Sequence, residues 1–375
     1  MGLFSRGKLV TSAILTGWSI LAFGFMIPII DQILGRFSQD LAIDLGTANT
    51  LIYVRGKGIA LREPSIITCH KKTKKVLAIG LEAKKMVGKT PFNIETIRPL
   101  ARGVIADFDT TLSMFNYFVR KTREIPGKRL YFSRPRMIIG VPTCASEVER
   151  RAVLDLAGSC GARLAFLVEE PLAAAIGAGL SIAEPVGSLV VDIGGGTSEI
   201  AVISLGGIVV GRSLRIAGNS MDTDIINYVR FRWGLALGEK TAEEIKISLG
   251  SAYPGPIEKE MVVRGRDLEK GLPKSIRLTS SQVREALAPS INVIVSTIKE
   301  ILADAPPELA SDIAERGIVV CGGGSQISGL PKLISAETKM PVTVADDPGS
   351  CVVRGCGLLL ENVELLAKVK VVDPK

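Results

Sequence analysis

The chain has 375 residues, 47% hydrophobic and 22% charged, with a mean hydropathy of +0.32. That excludes intrinsic disorder and leaves room for two ordinary domains or one large α/β unit split by a cleft. A single histidine, His70, excludes Ser-His-Asp and Cys-His catalysis and multi-histidine metal sites, so any metal must be held by oxygens. The formal charge of +8 is uneven: Arg55 to Arg136 holds 19 Lys+Arg against 6 Asp+Glu, a net of +13, leaving −5 elsewhere. Such a region is either a solvated basic face or a surface for an anionic partner. Cys69, Cys144, Cys160, Cys321, Cys351 and Cys356 form no CxxC pair and no zinc spacing, and they read as buried small hydrophobes of a reducing compartment.

From Leu9 to Ile30 no residue is charged, which meets the roughly 20-residue length of a membrane span. Arg6 and Lys8 precede it, so the positive-inside rule would place everything after Asp31 outside the cell. A signal peptide fits no better, since no small-x-small cleavage site follows. A third reading places Ile30, Ile33, Leu34 and Phe37 on one face at i, i+3, i+4, i+7, with Asp31, Arg36 and Ser38 off it. That pattern is a short interfacial anchor, with residues 1–25 an extra hydrophobic anchor or an upstream start-site artefact. A plain helix packed on the body is the alternative.

Leu41 to Val54 reads as strand, turn, strand, with Asp44-Leu45-Gly46-Thr47-Ala48-Asn49 at the turn. Glycine permits close backbone approach, so amide N–H groups and small polar side chains can surround phosphate oxygens. Asp44, ending the first strand, suits Mg²⁺ held through water, because Mg²⁺ keeps much of its hydration shell. Further on, Leu130, Tyr131 and Phe132 lie inside the basic loop Lys128–Arg136, ahead of a strand over Met137 to Val141. Such a loop suits an anionic membrane surface, where basic residues meet acidic head groups and the apolar trio enters the interface; an aromatic loop tucked onto its own domain is the alternative. Glu169 and Glu170 then precede a helix over Leu172 to Gly179, where its dipole favours acids.

Leu189 to Val202 repeats the strand-turn-strand pattern around Asp192-Ile193-Gly194-Gly195-Gly196-Thr197. One such hairpin is a weak signal; two in one chain imply homologous α/β halves offering their turns to one polyphosphate across a cleft. Glu243 and Lys246 stand at i, i+3 on a predicted helix, which by spacing alone is a surface ion pair. Finally, Ile318 to Cys321 reads as a buried strand entering Gly322-Gly323-Gly324-Ser325, a turn that can lie against a flat adenine or ribose.

The order Asp44-x-Gly-Thr, Asp192-x-Gly-Gly-Gly-Thr, Gly322-Gly-Gly resembles the actin, sugar-kinase and DnaK-type chaperone superfamily of ATP-binding proteins. Within it, IDLGTANTLIYVRGKGI, GVIADF, VERRAV, EEPLAAAIGAGL, VVDIGGGTSEIAVISLGGIV, IINYVR, ISLGSAYPG, RGRDLEKGLP and PPELASDIAERGIVVCGGGS are similar to the MreB family of bacterial actin homologues, over about Asp40 to Leu366. The resemblance implies an α/β, actin-like ATPase fold: two duplicated ribonuclease-H-like domains around a nucleotide cleft, each with a smaller inserted subdomain. The implied division is an anchoring segment over 1–37, a first domain over 38–174 with an insert at about 63–97, a second over 175–345 with an insert at about 213–275, and a C-terminal return over 346–375.

It further implies ATP and Mg²⁺ as ligands. Gly46, Thr47, Ala48 and Asn49 would form the first phosphate turn and Gly194, Gly195, Gly196 and Thr197 the second, with Asp44 and Asp192 ordering the metal. Glu243-Glu244-Ile245-Lys246 would reach the nucleoside, as would Gly322, Gly323, Gly324 and Ser325, while Glu170 would polarise and Thr197 position the attacking water in a slow hydrolysis. Ala217, Asn219 and Ser325 depart from the family's usual residues. The implied function is a filament, of paired protofilaments, on the inner face of the cytoplasmic membrane. There it would meet cell-wall elongation or division proteins, organise peptidoglycan synthesis and set cell shape. The alternative is a soluble phosphotransferase or phosphatase of the same fold; a chaperone lacks a peptide-binding domain here, and no nucleic-acid motif accompanies the basic region.

Overall fold

Both glycine hairpins become the middle of a sheet in the computed structural model, which describes residues 39–123 and 134–371. The first half opens with an antiparallel meander of β1 (Leu41–Leu45), β2 (Asn49–Val54) and β3 (Gly58–Pro64). A small sheet follows, from β4 (Ile67–His70), β5 (Val76–Ile79) and β6 (Ile94–Ile97), with helix α1 (Leu81–Met86) between β5 and β6. After the short hairpin β7 (Leu100–Ala101) and β8 (Val104–Ile105) comes α2 (Phe108–Arg123). Then β9 (Arg136–Val141), α3 (Glu147–Ser159), β10 (Leu164–Glu169) and α4 (Glu170–Gly177) complete the half. The strand order is β10-β9-β1-β2-β3, with β9 parallel to β1 and Ile43 opposite Ile139.

The second half repeats this plan. β11 (Ser188–Ile193), β12 (Ser198–Ser204) and β13 (Gly207–Leu214) form the meander, and α5 (Gly218–Trp233) follows. β14 (Leu235–Ala236), α6 (Glu239–Leu249), β15 (Glu260–Asp267) and β16 (Pro273–Thr279) are inserted next. α7 (Ser280–Asp304), α8 (Pro307–Arg316), β17 (Ile318–Cys321), α9 (Leu330–Thr338) and β18 (Val342–Val344) return to the sheet, whose order is β13-β12-β11-β17-β18. α10 (Cys351–Glu361) and α11 (Val363–Val369) bring the chain back to the first half, where Val371 N–H donates to the Leu167 carbonyl at 2.9 Å.

The central strands are apolar on both faces because helices cover both sides; every residue of β11 is buried. α2 packs Met114, Phe115 and Phe118 onto the first sheet, and α7 packs Ile291, Ile294, Ile298 and Ile301 onto the second. α7 is long and apolar enough to cross a membrane, yet its apolar residues recur at helical spacing into this core. A third cluster joins the halves, built from Ala173 to Ile176 of α4 and Val352, Cys356 and Leu359 of α10. Here the helices touch backbone to backbone: a Cβ on Gly177 would overlap the Cys351 carbonyl, and one on Gly355 the Ala173 carbonyl.

Two sequence expectations shift. The helix expected over Leu172 to Gly179 starts two residues earlier, at Glu170, because a proline fits a first helical turn, where its missing N–H has no partner to lose. Cys144 is exposed in the loop after β9, while the other five cysteines are buried. The membrane-facing candidates Ile30, Ile33, Leu34, Phe37, Leu130, Tyr131 and Phe132 lie outside the described residues.

Candidate nucleotide cleft

The two turns face each other. A Cβ on Gly195 would overlap Ala48, and one on Gly196 would overlap Thr47, so the second turn can sit against the first only as bare backbone. The first turn is braced by Ser65, whose hydroxyl donates to the Gly46 carbonyl at 2.6 Å and pairs with Thr50 at 2.9 Å. The second closes on itself through Gly194 N–H to the Thr197 carbonyl at 2.9 Å. Gly103, held at φ +81°, donates its N–H to Thr47 Oγ1 at 2.9 Å, and a Cβ there would stand 2.9 Å from Thr197 Cγ2. Thr47 and Thr197, one from each half, thus meet at one point.

Below the turns lies a group of carboxylates. Asp44 and Asp192 are the penultimate residues of β1 and β11, and Glu170 opens α4. Burial pushes the Asp44 carboxyl up to about 7. Burial first, and then neighbouring acids, also hold Asp192 and Glu170 well above the ordinary carboxylate range, with Glu199, Asp44 and Asp192 all acting on Glu170. Glu199, only 1% exposed on β12, accepts from Ser213 Oγ and from Thr143 N–H at 3.4 Å. Among the described residues no lysine or arginine forms an ion pair with Asp44, Asp192 or Glu170. Uncompensated buried carboxylates are costly, so this base suits a divalent cation. No cluster of three or more ligating side chains forms among the described residues; two aspartates with water and phosphate are the donor set Mg²⁺ favours.

α5 starts directly behind the second turn, with Gly218 N–H on the Gly194 carbonyl at 3.1 Å and Asn219 N–H on the Gly195 carbonyl at 2.8 Å. The contact from Asn219 is main-chain, so the departure at this position leaves it intact. Lys246 Nζ binds the Gly218 carbonyl and Asp222, each at 2.8 Å. Glu243 faces the first half, its Oε1 2.9 Å from Lys84 Nζ. From β17, Gly322 takes φ +79° beside Asp192, and the Ser325 hydroxyl turns back to the Gly322 carbonyl at 2.7 Å.

A family model described as MreB/Mbl protein matches residues 38–368. The chain belongs to the MreB/Mbl family. It is 48% identical over 334 residues to the cell shape-determining protein Mbl of Bacillus subtilis, covering 89% of this chain and 99% of that one. It is 50% identical over 335 residues to the cell shape-determining protein MreB of Escherichia coli, covering 88% and 96%. The crystal structure of Spiroplasma citri MreB5 bound to ADP superposes with a TM-score of 0.82 at 37% identity, over 86% of this chain and 96% of that one. The MamK double helical filament, at 24% identity and a TM-score of 0.72, shares the fold. The fold of this MreB/Mbl member is therefore the α/β, actin-like one.

The structure brings together Asp44, Gly46 to Asn49, Glu170, Asp192, Gly194 to Thr197, Lys246 and Gly322. It leaves two of the candidate residues apart. Glu244 approaches Lys240 at 3.9 Å and is half-exposed, and Ile245 is fully buried in the second core, because successive helical residues point about 100° apart. Gly103 and Glu199 went unread in the sequence, although GVIADF and the residue two after Thr197 mark their places.

Proposed function

We propose that this chain binds Mg-ATP between its two halves and assembles into actin-like filaments on the inner face of the cytoplasmic membrane, organising peptidoglycan synthesis and cell shape. The observation that carries the reading is the meeting of two homologous turns, Thr47-Ala48 against Gly195-Gly196, above Asp44 and Asp192. Bare turns aim main-chain N–H groups at phosphate oxygens from both sides. The relatives' names, cell shape-determining proteins, and the ADP and AMPPNP held by Spiroplasma citri MreB5 support it.

Asp44 and Asp192 would hold Mg²⁺, which when bound offsets phosphate charge. Glu170 accepts a hydrogen bond from the attacking water, and Thr197 orients that water from the second turn. Burial keeps Glu170 a stronger base than an ordinary carboxylate. Closure of the halves on ATP shapes two complementary ends, and a head-to-tail contact of that kind does not close into a ring but grows as a strand. The segments 9–37 and 128–136 carry the apolar and basic residues suited to acidic lipid.

Electron microscopy of the full-length chain with Mg-ATP and acidic vesicles tests this. Filaments lying on lipid are the expected result, and Glu170→Gln retains nucleotide while slowing phosphate release by about a hundredfold. Dispersed particles that still bind ATP would overturn the filament reading in favour of a phosphotransferase or phosphatase.

A further inference from the structure

The basic surplus of the first half meets its counter-charge on one helix of the second. Glu239 and Glu243 stand one turn apart on α6, hence on the same face, and both are engaged from across the cleft. Lys84 of α1 reaches Glu243 Oε1 at 2.9 Å, and Arg98, just after β6, reaches Glu239 at 3.4 Å. Lys246, three residues beyond Glu243, holds the Gly218 carbonyl behind the second phosphate turn. One face of α6 therefore runs from an outer ion pair through an inner one to the turn itself.

These pairs are too exposed to hold the fold together: Lys84 and Glu243 are 39% and 33% exposed, Arg98 and Glu239 36% and 67%. Their partners sit on different halves, however, so any opening of the cleft would part them. An interaction present in one state alone acts on the equilibrium between the two states, whatever its absolute size. Both acids keep a second acceptor oxygen beside the one engaged, but Glu243, with Lys84 on its Oε1, is the one nearer Lys246 and the second phosphate turn.

We propose that Lys84 is a positioning residue of the nucleotide site. It ties Glu243 across the mouth of the cleft, aims the second carboxylate oxygen at a hydroxyl of the nucleoside sugar, and so sets how long nucleotide stays bound. This rests on the nucleotide reading above. Release then requires the Lys84–Glu243 pair to part first, with Arg98–Glu239 as a weaker outer tie.

The test uses the full-length chain loaded with radiolabelled ADP and chased with unlabelled ADP, below the concentration at which it assembles. Lys84→Gln is expected to speed release three- to fivefold, the ceiling for a partly exposed pair. Lys84→Arg stays within twofold of wild type, and so does Arg98→Gln. Raising NaCl from about 50 to 500 mM speeds release from wild type more than from Lys84→Gln, which keeps only the weaker Arg98–Glu239 tie to screen. Calorimetric titration adds a readout that a purely structural lysine would not move: the preference for ADP over 2′- or 3′-deoxy-ADP narrows in Lys84→Gln and is kept in Lys84→Arg. Wild-type release and wild-type sugar preference in a Lys84→Gln protein of unchanged melting temperature would overturn the proposal. A wild-type chain that retains no ADP would overturn the nucleotide reading itself, and that result is read from the wild-type control alone.

Discussion

The two halves share one strand order but secure their phosphate turns by different means. In the first, the residue directly after β3 holds Gly46 through a side chain, the Ser65 hydroxyl on its carbonyl. In the second, α5 does the work with main chain, through the N–H groups of Gly218 and Asn219. The first turn therefore depends on the identity of its neighbours, whereas the second depends on glycines that let a helix start close behind it. The inserts differ in charge as well: the first carries Lys84 and is followed by Arg98, and the second carries Glu239 and Glu243. Duplication supplies the symmetry that brings two turns to one point, and divergence supplies the complementary charges that can draw the halves together.

The sharpest way to break this relation is to separate the halves at their crossing. Gly355→Ala would drive a methyl group into the Ala173 carbonyl, where α4 and α10 touch. We expect a loss of about 3 kcal/mol or more, as for overpacking against rigid backbone, read as a shift of the urea midpoint by circular dichroism. Gly158→Ala, on the exposed end of α3 with open space around it, should instead be neutral or stabilising by up to about 1 kcal/mol. Equal effects at the two sites would mean that the crossing is not a tight joint.

Much of this architecture is legible in the residues alone. The hairpins announce themselves because Asp-x-Gly-Thr interrupts apolar runs at Asp44 and again at Asp192, and a repeat of that kind implies two like halves. What stays hidden depends on contacts between distant parts of the chain. Gly103 matters only because Thr47 and Thr197 converge on it. The tie from Lys84 to Glu243 joins residues 159 apart, and no local pattern reports it. A motif also names a segment rather than a face: Glu243 and Lys246 turn toward the cleft, while Glu244 and Ile245 between them face solvent and core. Cys144 is exposed for a similar reason, since composition gives the usual place of a cysteine and not the course of one loop.

A second test compares the carboxylates at the base of the cleft with those on the surface. Asp44 is raised from 3.8 to about 7 by burial, so the folded chain binds a proton there that the unfolded chain has released. That stability is fully present below pH 3.8 and is lost as pH rises through 7. Between pH 5.5 and 7 Asp44 alone should remove about 1.5 kcal/mol from the nucleotide-free protein, with Asp192 and Glu170 acting in the same sense. Asp347, lowered by Ser350 and Arg62, contributes with the opposite sign and only near and below pH 3.8. Cys351, held down to about 7 by Cys321 and Arg354, adds stability from pH 7 upward, which makes the lower window the cleaner one. Thermal melts should show a midpoint that falls from pH 5.5 to 7, and Asp44→Asn should flatten that fall and raise the midpoint at pH 7. An unchanged slope in Asp44→Asn would mean that the base of the cleft is better solvated than its burial implies.

The smallest expected effect separates the two bracing schemes most directly. Ser65 and Ser198 are both fully buried, and each donates one hydrogen bond to a carbonyl: Ser65 to Gly46 at 2.6 Å, inside the first turn, and Ser198 to Ile216 at 2.7 Å, in the strand-to-helix connection behind the second. Removing either hydroxyl should cost about 1 kcal/mol of stability, so unfolding alone will not distinguish them. Nucleotide affinity should, because Ser65→Ala frees the carbonyl of a residue that would line the phosphates, whereas Ser198→Ala leaves the second turn held by Gly218 and Asn219 N–H groups. We expect Ser65→Ala to weaken ADP binding about fivefold, within the reach of one hydrogen bond, and Ser198→Ala to change it less than twofold. The reverse order would place the side-chain dependence in the second half and invert the comparison drawn between the two turns.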